Sequence, residues 1–191
     1  RFWANRGYIR EASDWYARLL PLPGEDPSKD RGDCWLGAGV MAYFRGELEG
    51  AEASTRNAQH QFMAIGHELG VAYSYGNLGM IADACCNPSA ATAIYTHALS
   101  MFRRLGDETS EGYMLGNLGL VLLDAGALDE AESFTHQSLA LYRRLGNDDS
   151  CGYSLSTLGE IALLRGDIAG AEHYGEEALT IRAGIGHQSG I

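Results

Sequence analysis

Small residues recur in this chain at a spacing of 40. Gly39, Gly79, Gly119 and Gly159 form one column, and Gly66, Gly106, Gly146 and Gly186 a second. Ala51, Ala91, Ala131 and Ala171 form a third. In a fourth, Gly46, Gly126 and Gly166 keep glycine while Cys86 replaces it. Residues 71–110 and 111–150 are identical at 12 of 40 positions, and 111–150 and 151–190 at 11. Chance would give roughly two or three at this composition. Such a period restricts the fold to a stack of supersecondary units, none of which buries its apolar face alone. Four units fill 31–70, 71–110, 111–150 and 151–190. Gly7 and Ala12 stand 39 before Gly46 and Ala51, so 1–30 reads as the trailing half of a preceding unit followed by a linker. Pro21, Pro23 and Pro27 break the helix there. The chain opens at Arg1 with no signal-like segment and is expected to be a piece of a larger protein.

Each unit reads as two helices. In the third, Leu115, Leu118 and Leu122 share one face of a helix expected over Tyr113 to Asp124. Gly126 ends it, because glycine accepts the left-handed conformation of a C-terminal turn. The second helix is expected from Leu128 to Leu145, with Ala131, Phe134, Ser138, Leu139 and Leu141 inward and Gly146 at its end. Asn87-Pro88 is a start signal, Asn as cap and Pro in the first turn. No strand pattern occurs. The glycines at 39, 79, 119 and 159 fall inside helices, where each costs about 1 kcal/mol relative to Ala. A column of them suggests close helix approach, with the Ala column as the facing surface.

Composition removes several functions. The 25 Asp and Glu outnumber 14 Lys and Arg, a net charge of -11. That balance argues against nucleic acid and against an anionic membrane surface as partner. No apolar run approaches a membrane span. Cys34, Cys85, Cys86 and Cys151 lack metal-binding spacing and read as free thiols. The six His form no zinc pair, and neither a P-loop nor a nucleophile elbow is present. Asp83, Asp124 and Glu160 have nothing to make them an acid–base pair. No catalytic residue, metal or cofactor is expected. Arg103-Arg104 and Arg143-Arg144 read as helix C-terminal cations that complement the macrodipole.

The column order resembles the tetratricopeptide repeat: a large residue, Leu-Gly, a turn Gly, Ala, then Ala-Leu. The third unit offers Leu115, Leu118-Gly119, Gly126, Ala131 and Ser138-Leu139. The second offers Tyr75, Leu78-Gly79, Ala91 and Ala98-Leu99. A period of 40 exceeds the family's usual 34 or so and implies longer helices. Two subgroups share it. One is the repeat arm of large bacterial transcription regulators, similar in Gly126-Ala127-Leu128-Asp129-Glu130-Ala131 and in Phe2-Trp3 followed by Gly7 and Glu11-Ala12. The other is the eukaryotic adaptor that orients mitotic spindles, similar in Gly76-Asn77-Leu78-Gly79 and Gly116-Asn117-Leu118-Gly119. The Arg and Gly bias and the opening segment favour the bacterial group. The resemblance implies an all-α, right-handed superhelix of helical hairpins, an α-α solenoid.

In that family the first helix of each pair lines the concave surface. Here its non-core stripe reads Asp33, Gly37, Val40, Phe44, then Tyr73, Asn77, Met80, Ala84. It continues with Tyr113, Asn117, Leu120, Asp124 and Tyr153, Thr157, Glu160, Leu164. Tyr73, Tyr113 and Tyr153 make one ladder, Asn77 and Asn117 another; both residue types suit a peptide partner. A recurrent Tyr serves equally well as packing between repeats, so both readings stay open. A clamp for a C-terminal carboxylate is not expected, because Tyr stands where a cation is needed. The function expected is a non-catalytic protein- or peptide-binding module, the interaction or sensing arm of a larger cytoplasmic bacterial regulator. A plain scaffold and a small-molecule sensor are the alternatives. Self-association through exposed ends, marked by Phe2, Trp3 and Trp15, is also expected.

Overall fold

The computed structural model describes residues 8–24 and 27–189. All regular structure among them is helical: α1 (Ile9–Leu19), α2 (Lys29–Phe44), α3 (Leu48–Ala64), α4 (Glu68–Ala84), α5 (Pro88–Leu105), α6 (Glu108–Asp124), α7 (Leu128–Leu145), α8 (Asp148–Leu164) and α9 (Ile168–Ser189). The chain divides within α5 into two compact units, residues 1–101 and 102–191. In the first, α2 packs on α1, α3 and α4. In the second, α6 pairs with α7, and α8 packs against α6, α7 and α9. Phe2, Trp3 and Gly7 lie outside the described residues.

The helix starts are set by a polar column that the apolar pattern hides. The His67 imidazole Nδ1 accepts the Gly70 N–H, Asp107 Oδ1 the Ser110 N–H and Asn147 Oδ1 the Ser150 N–H, at 3.0, 3.0 and 3.1 Å. Each satisfies an N-terminal donor that the helix itself cannot. Asp107 therefore starts α6 at Glu108, five residues before the Tyr113 expected from apolar spacing. Asn87 caps α5 as expected, its Oδ1 accepting the Ala90 N–H. Gly46, Gly66, Gly106, Gly126, Gly146 and Gly166 all take φ between 64 and 78°. Cys86 takes the same left-handed conformation, at φ 56°. Gly186, the last of its column, lies inside α9, which continues to Ser189.

The glycines inside the helices do different work in different units. A methyl on Gly39 would lie 2.6 Å from Thr55 Oγ1 and 3.1 Å from the Ala51 carbonyl oxygen. Gly119 meets the corresponding pair, Thr135 Oγ1 and the Ala131 carbonyl. Here the expected approach to the Ala column is real, and the missing Cβ is what permits it. At Gly79 the space is filled by the Tyr95 ring, 2.5 Å from a methyl there. At Gly159 the nearest atoms are 3.7 and 3.8 Å away, ordinary contact distance.

The core of the first unit is built on Phe62, Ala72, Leu78, Ile81 and Tyr95. In the second, Leu139, Tyr142, Cys151, Leu155, Leu158 and Ala178 form one cluster and Leu123, Ala131 and Ile161 another. Leu115 and Leu118 are buried as expected, while Phe134 is only half-buried. All four cysteines are free thiols, with Cys85 and Cys86 exposed and Cys151 buried. Among the described residues no helix is long and apolar enough to cross a membrane.

Two outcomes follow from this packing. Gly79→Ala forces a methyl into a fully buried ring and is expected to cost about 1–3 kcal/mol. Gly159→Ala has room and should stabilise by about 0.5–1 kcal/mol through helix propensity. Urea unfolding of both variants checks the contrast. The second outcome concerns pH. Burial foremost, with Asp83 and Tyr43 adding to it, raises the Tyr95 phenol well above its ordinary value of 10. The unfolded chain therefore ionises first. Stability is full below pH 10 and should fall as pH rises beyond it. Tyr95→Phe should flatten that fall in unfolding midpoints taken across the alkaline range.

Candidate functional site

The expected groove residues meet most fully in the second unit. The first helices of its two pairs, α6 and α8, present Tyr113, Asn117 and Leu120 on one and Tyr153 and Thr157 on the other. All five line a single open cavity of about 210 Å³. Helical spacing brings this about: 113, 117, 120 and 124 share one face of α6, and 153, 157 and 160 one face of α8. Asp124 and Glu160 continue that face as exposed residues beyond the cavity lining.

Exposure bears on the tyrosines. Tyr153 is 72% exposed and Tyr113 37%, so neither is consumed by packing. Tyr113 leans edge-on against the buried Tyr142 ring, with centroids 5.8 Å apart. The Arg182 guanidinium lies 6.0 Å from the centre of the Tyr153 ring. Leu120 is 45% exposed and gives the cavity an apolar wall.

Hydroxyl groups make the floor, and to the expected Ser138 and Thr157 the structure adds Ser150 and Ser154. Ser138 of α7 donates to the Gly112 carbonyl of α6 at 3.0 Å, and Ser154 of α8 donates to Ser138 Oγ at 3.3 Å. Ser154 also reaches the Ser150 carbonyl, and Thr157 donates to the Tyr153 carbonyl. Three helices thus meet at one buried serine. Gly112 belongs to the same floor: a methyl there would lie 2.7 Å from the Tyr142 ring. The signal was present in the sequence, since Ser138 stands in the small-residue column with Ala98, but a small buried residue does not announce a hydroxyl network.

The first unit places its expected residues differently. Asn77 and Met80 of α4 line a narrow crevice with Val40, Tyr43, Gly39 and Thr55. Its volume, about 10 Å³, is that of a single water site. Tyr73 is exposed on α4 outside this crevice.

Charge is distributed unevenly around the second unit. Arg103 pairs with Glu111, Arg143 with Glu177, Arg144 with Glu108, and Arg165 with both Asp129 and Glu132. Arg143 and Arg144 do stand in the last turn of α7, as expected, and their side chains also reach carboxylates of neighbouring helices. No charged side chain lines the cavity itself. Among the described residues, no group of three or more His, Cys, Asp or Glu is placed to hold a metal.

Residues 110–183 match the tetratricopeptide repeat family model, a stretch that includes the whole cavity lining. No curated protein matches the chain by sequence. Three solved structures are similar. BtubC (BKLC) from P. vanneervenii is 23% identical with a TM-score of 0.80, over 96% of this chain and 76% of that one. A Rap protein complexed with competence and sporulation factor is 12% identical with a TM-score of 0.85, over 95% of this chain and 51% of that one. A signal transduction ATPase with numerous domains and a tetratricopeptide repeat sensor, from Pyrococcus horikoshii, is 19% identical with a TM-score of 0.80. That match covers 94% of this chain and 28% of the other. The chain therefore spans about half of the Rap protein and under a third of the ATPase. At these identities the solved structures show the fold, a stack of all-α helical hairpins, and the tetratricopeptide repeat match extends over residues 110–183.

The serine junction can be tested directly. Ser138→Ala removes the α7 donor to α6 and should destabilise by about 1 kcal/mol. Chemical denaturation measures that loss. Ser138→Thr, which keeps the donor, should recover part of it.

Proposed function

We propose that the α6–α8 face is the site at which this chain holds a protein or peptide, and that it does so without catalysis. The observation that carries this reading is the convergence of Tyr113, Asn117, Leu120, Tyr153 and Thr157 on one open cavity. Exposed tyrosines supply apolar area with a hydroxyl, and Asn117 can both donate to and accept from a peptide backbone. An open cavity suits an extended chain better than a small-molecule sensor, whose ligand would be enclosed. Lack of a nucleophile–base pair at the cavity supports a binding role. Within the first unit, Asn77, Met80 and Tyr73 of α4 are proposed as contact residues of that unit's own face.

In this reading the chain is the interaction or sensing arm of a larger regulator, cytoplasmic and bacterial. The Rap protein bound to a peptide factor and the ATPase with a repeat sensor lend the analogy, at the level of fold alone. Self-association through the end of the second unit belongs to the same proposal. Leu163 and Leu179 stand one period beyond Leu123 and Leu139, yet they are 57% and 67% exposed where those two are buried.

The test is a paired capture. The native chain and a Tyr113→Ala/Asn117→Ala/Tyr153→Ala variant, shown by circular dichroism to be equally helical, are used as bait in the same lysate. Partners held by the native chain and reduced at least about fivefold with the variant are expected, since aromatic contacts at an interface centre carry much of the affinity. Equal capture by both would move the site off this face.

A further inference from the structure

The occupant of this face can be specified further by charge. The inference rests on the binding reading above and deepens it. The cavity is lined by aromatic, apolar and hydroxyl groups and the Asn117 carboxamide, with no ionised side chain, a lining that suits an apolar side chain better than a charged one. Next to it, on the same helical faces, stand Asp124 and Glu160, both exposed. Arg103, Arg143, Arg144 and Arg165 pair with Glu111, Glu177, Glu108, Asp129 and Glu132, not with either of these two. Those four cations are directed to other carboxylates, and the exposed charges on the cavity-bearing faces of α6 and α8 are Asp124 and Glu160. Arg182, stacked at the Tyr153 end and donating to Ser156, stands at the opposite edge. The chain as a whole carries a net charge of -11, which reinforces the local field.

We infer that this face takes a cationic peptide: an apolar side chain seated in the Tyr113–Tyr153 cavity, with Lys or Arg reaching Asp124 and Glu160. The spacing follows from helix geometry. Asp124 lies one turn beyond Leu120, about 6 Å along α6. An extended peptide advances about 3.3 Å per residue, so the basic residue falls two or three positions from the apolar anchor. An acidic peptide meets repulsion at the same place, so the arrangement selects against it as well as for its opposite.

The probes are two fluorescein-labelled nonapeptide pools with a central Leu and Ala or Ser elsewhere. One carries Lys at the second and third positions on either side of the Leu, the other Glu. Fluorescence anisotropy is read on the full chain. The Lys pool is expected to bind at least about tenfold tighter than the Glu pool, the difference shrinking as salt is raised. Because any cationic peptide is drawn to an acidic chain, location is decided by two variants of identical net charge. Asp124→Asn/Glu160→Gln neutralises the groove, and Glu130→Gln/Glu172→Gln neutralises exposed positions on α7 and α9. Loss of about tenfold with the first and under about twofold with the second supports the inference, since a surface charge acts within roughly a Debye length. Equal losses with both, or equal binding of the two pools, overturn it while leaving the face as a peptide site. Binding of neither pool overturns it too. The binding reading itself is judged separately, by the Tyr113/Asn117/Tyr153 variant in the capture experiment.

Discussion

The structure depends on how near two helix backbones can come. A repeat of this kind has no large core. Each hairpin buries a thin layer, and the layer works only when the helices approach within reach of each other's small side chains. Gly39 against Thr55 and Gly119 against Thr135 are the closest of these approaches. The threonines are themselves folded back, each hydroxyl donating to the carbonyl four residues earlier at 2.7 Å. That arrangement satisfies the hydroxyl inside the interface and leaves its methyl for packing. At Gly79 the same absent Cβ is used in another way, to seat the Tyr95 ring. One column of glycine thus supports two kinds of filling, and Gly159 retains the residue where neither is present.

The cavity is a by-product of that architecture. Helices α6 and α8 present equivalent faces, and the small residues between them, Gly112, Gly116, Ser138 and Ser154, leave room that larger ones would fill. The serine hydroxyls then hold three helices at a fixed distance. Tyr113 and Tyr153 stay exposed at the rim while the Tyr142 ring is buried below them. Apolar wall, polar floor and aromatic rim therefore arise from one set of packing constraints.

Much of this was legible in the sequence, for reasons particular to each element. The turns were, because glycine at φ near 70° leaves a recurring letter. The exposure of Tyr113, Leu120 and Asp124 along α6 was, because helical spacing sets which side chains share a face. The start of α6 was not: Asp107 caps it as His67 and Asn147 cap α4 and α8, a column whose residue type changes from copy to copy and carries no apolar signal. Ser138 was read as an inward small residue and its hydroxyl partners went unseen, since they lie on two other helices. The equivalence of Asn77 and Asn117 was read as a ladder. Their surroundings differ, a crevice with room for one water at the first and an open cavity at the second. Period predicts a side chain's direction; what surrounds it depends on neighbours that the period does not conserve.

Cys86 has a consequence for handling the molecule. It stands with Cys85 at an exposed turn, while Cys151 is buried and Cys34 half-buried. A maleimide reagent should therefore modify the α4–α5 turn first. A fluorophore or spin label attached there would report on the first unit while leaving the tyrosine-lined face of α6 and α8 chemically untouched.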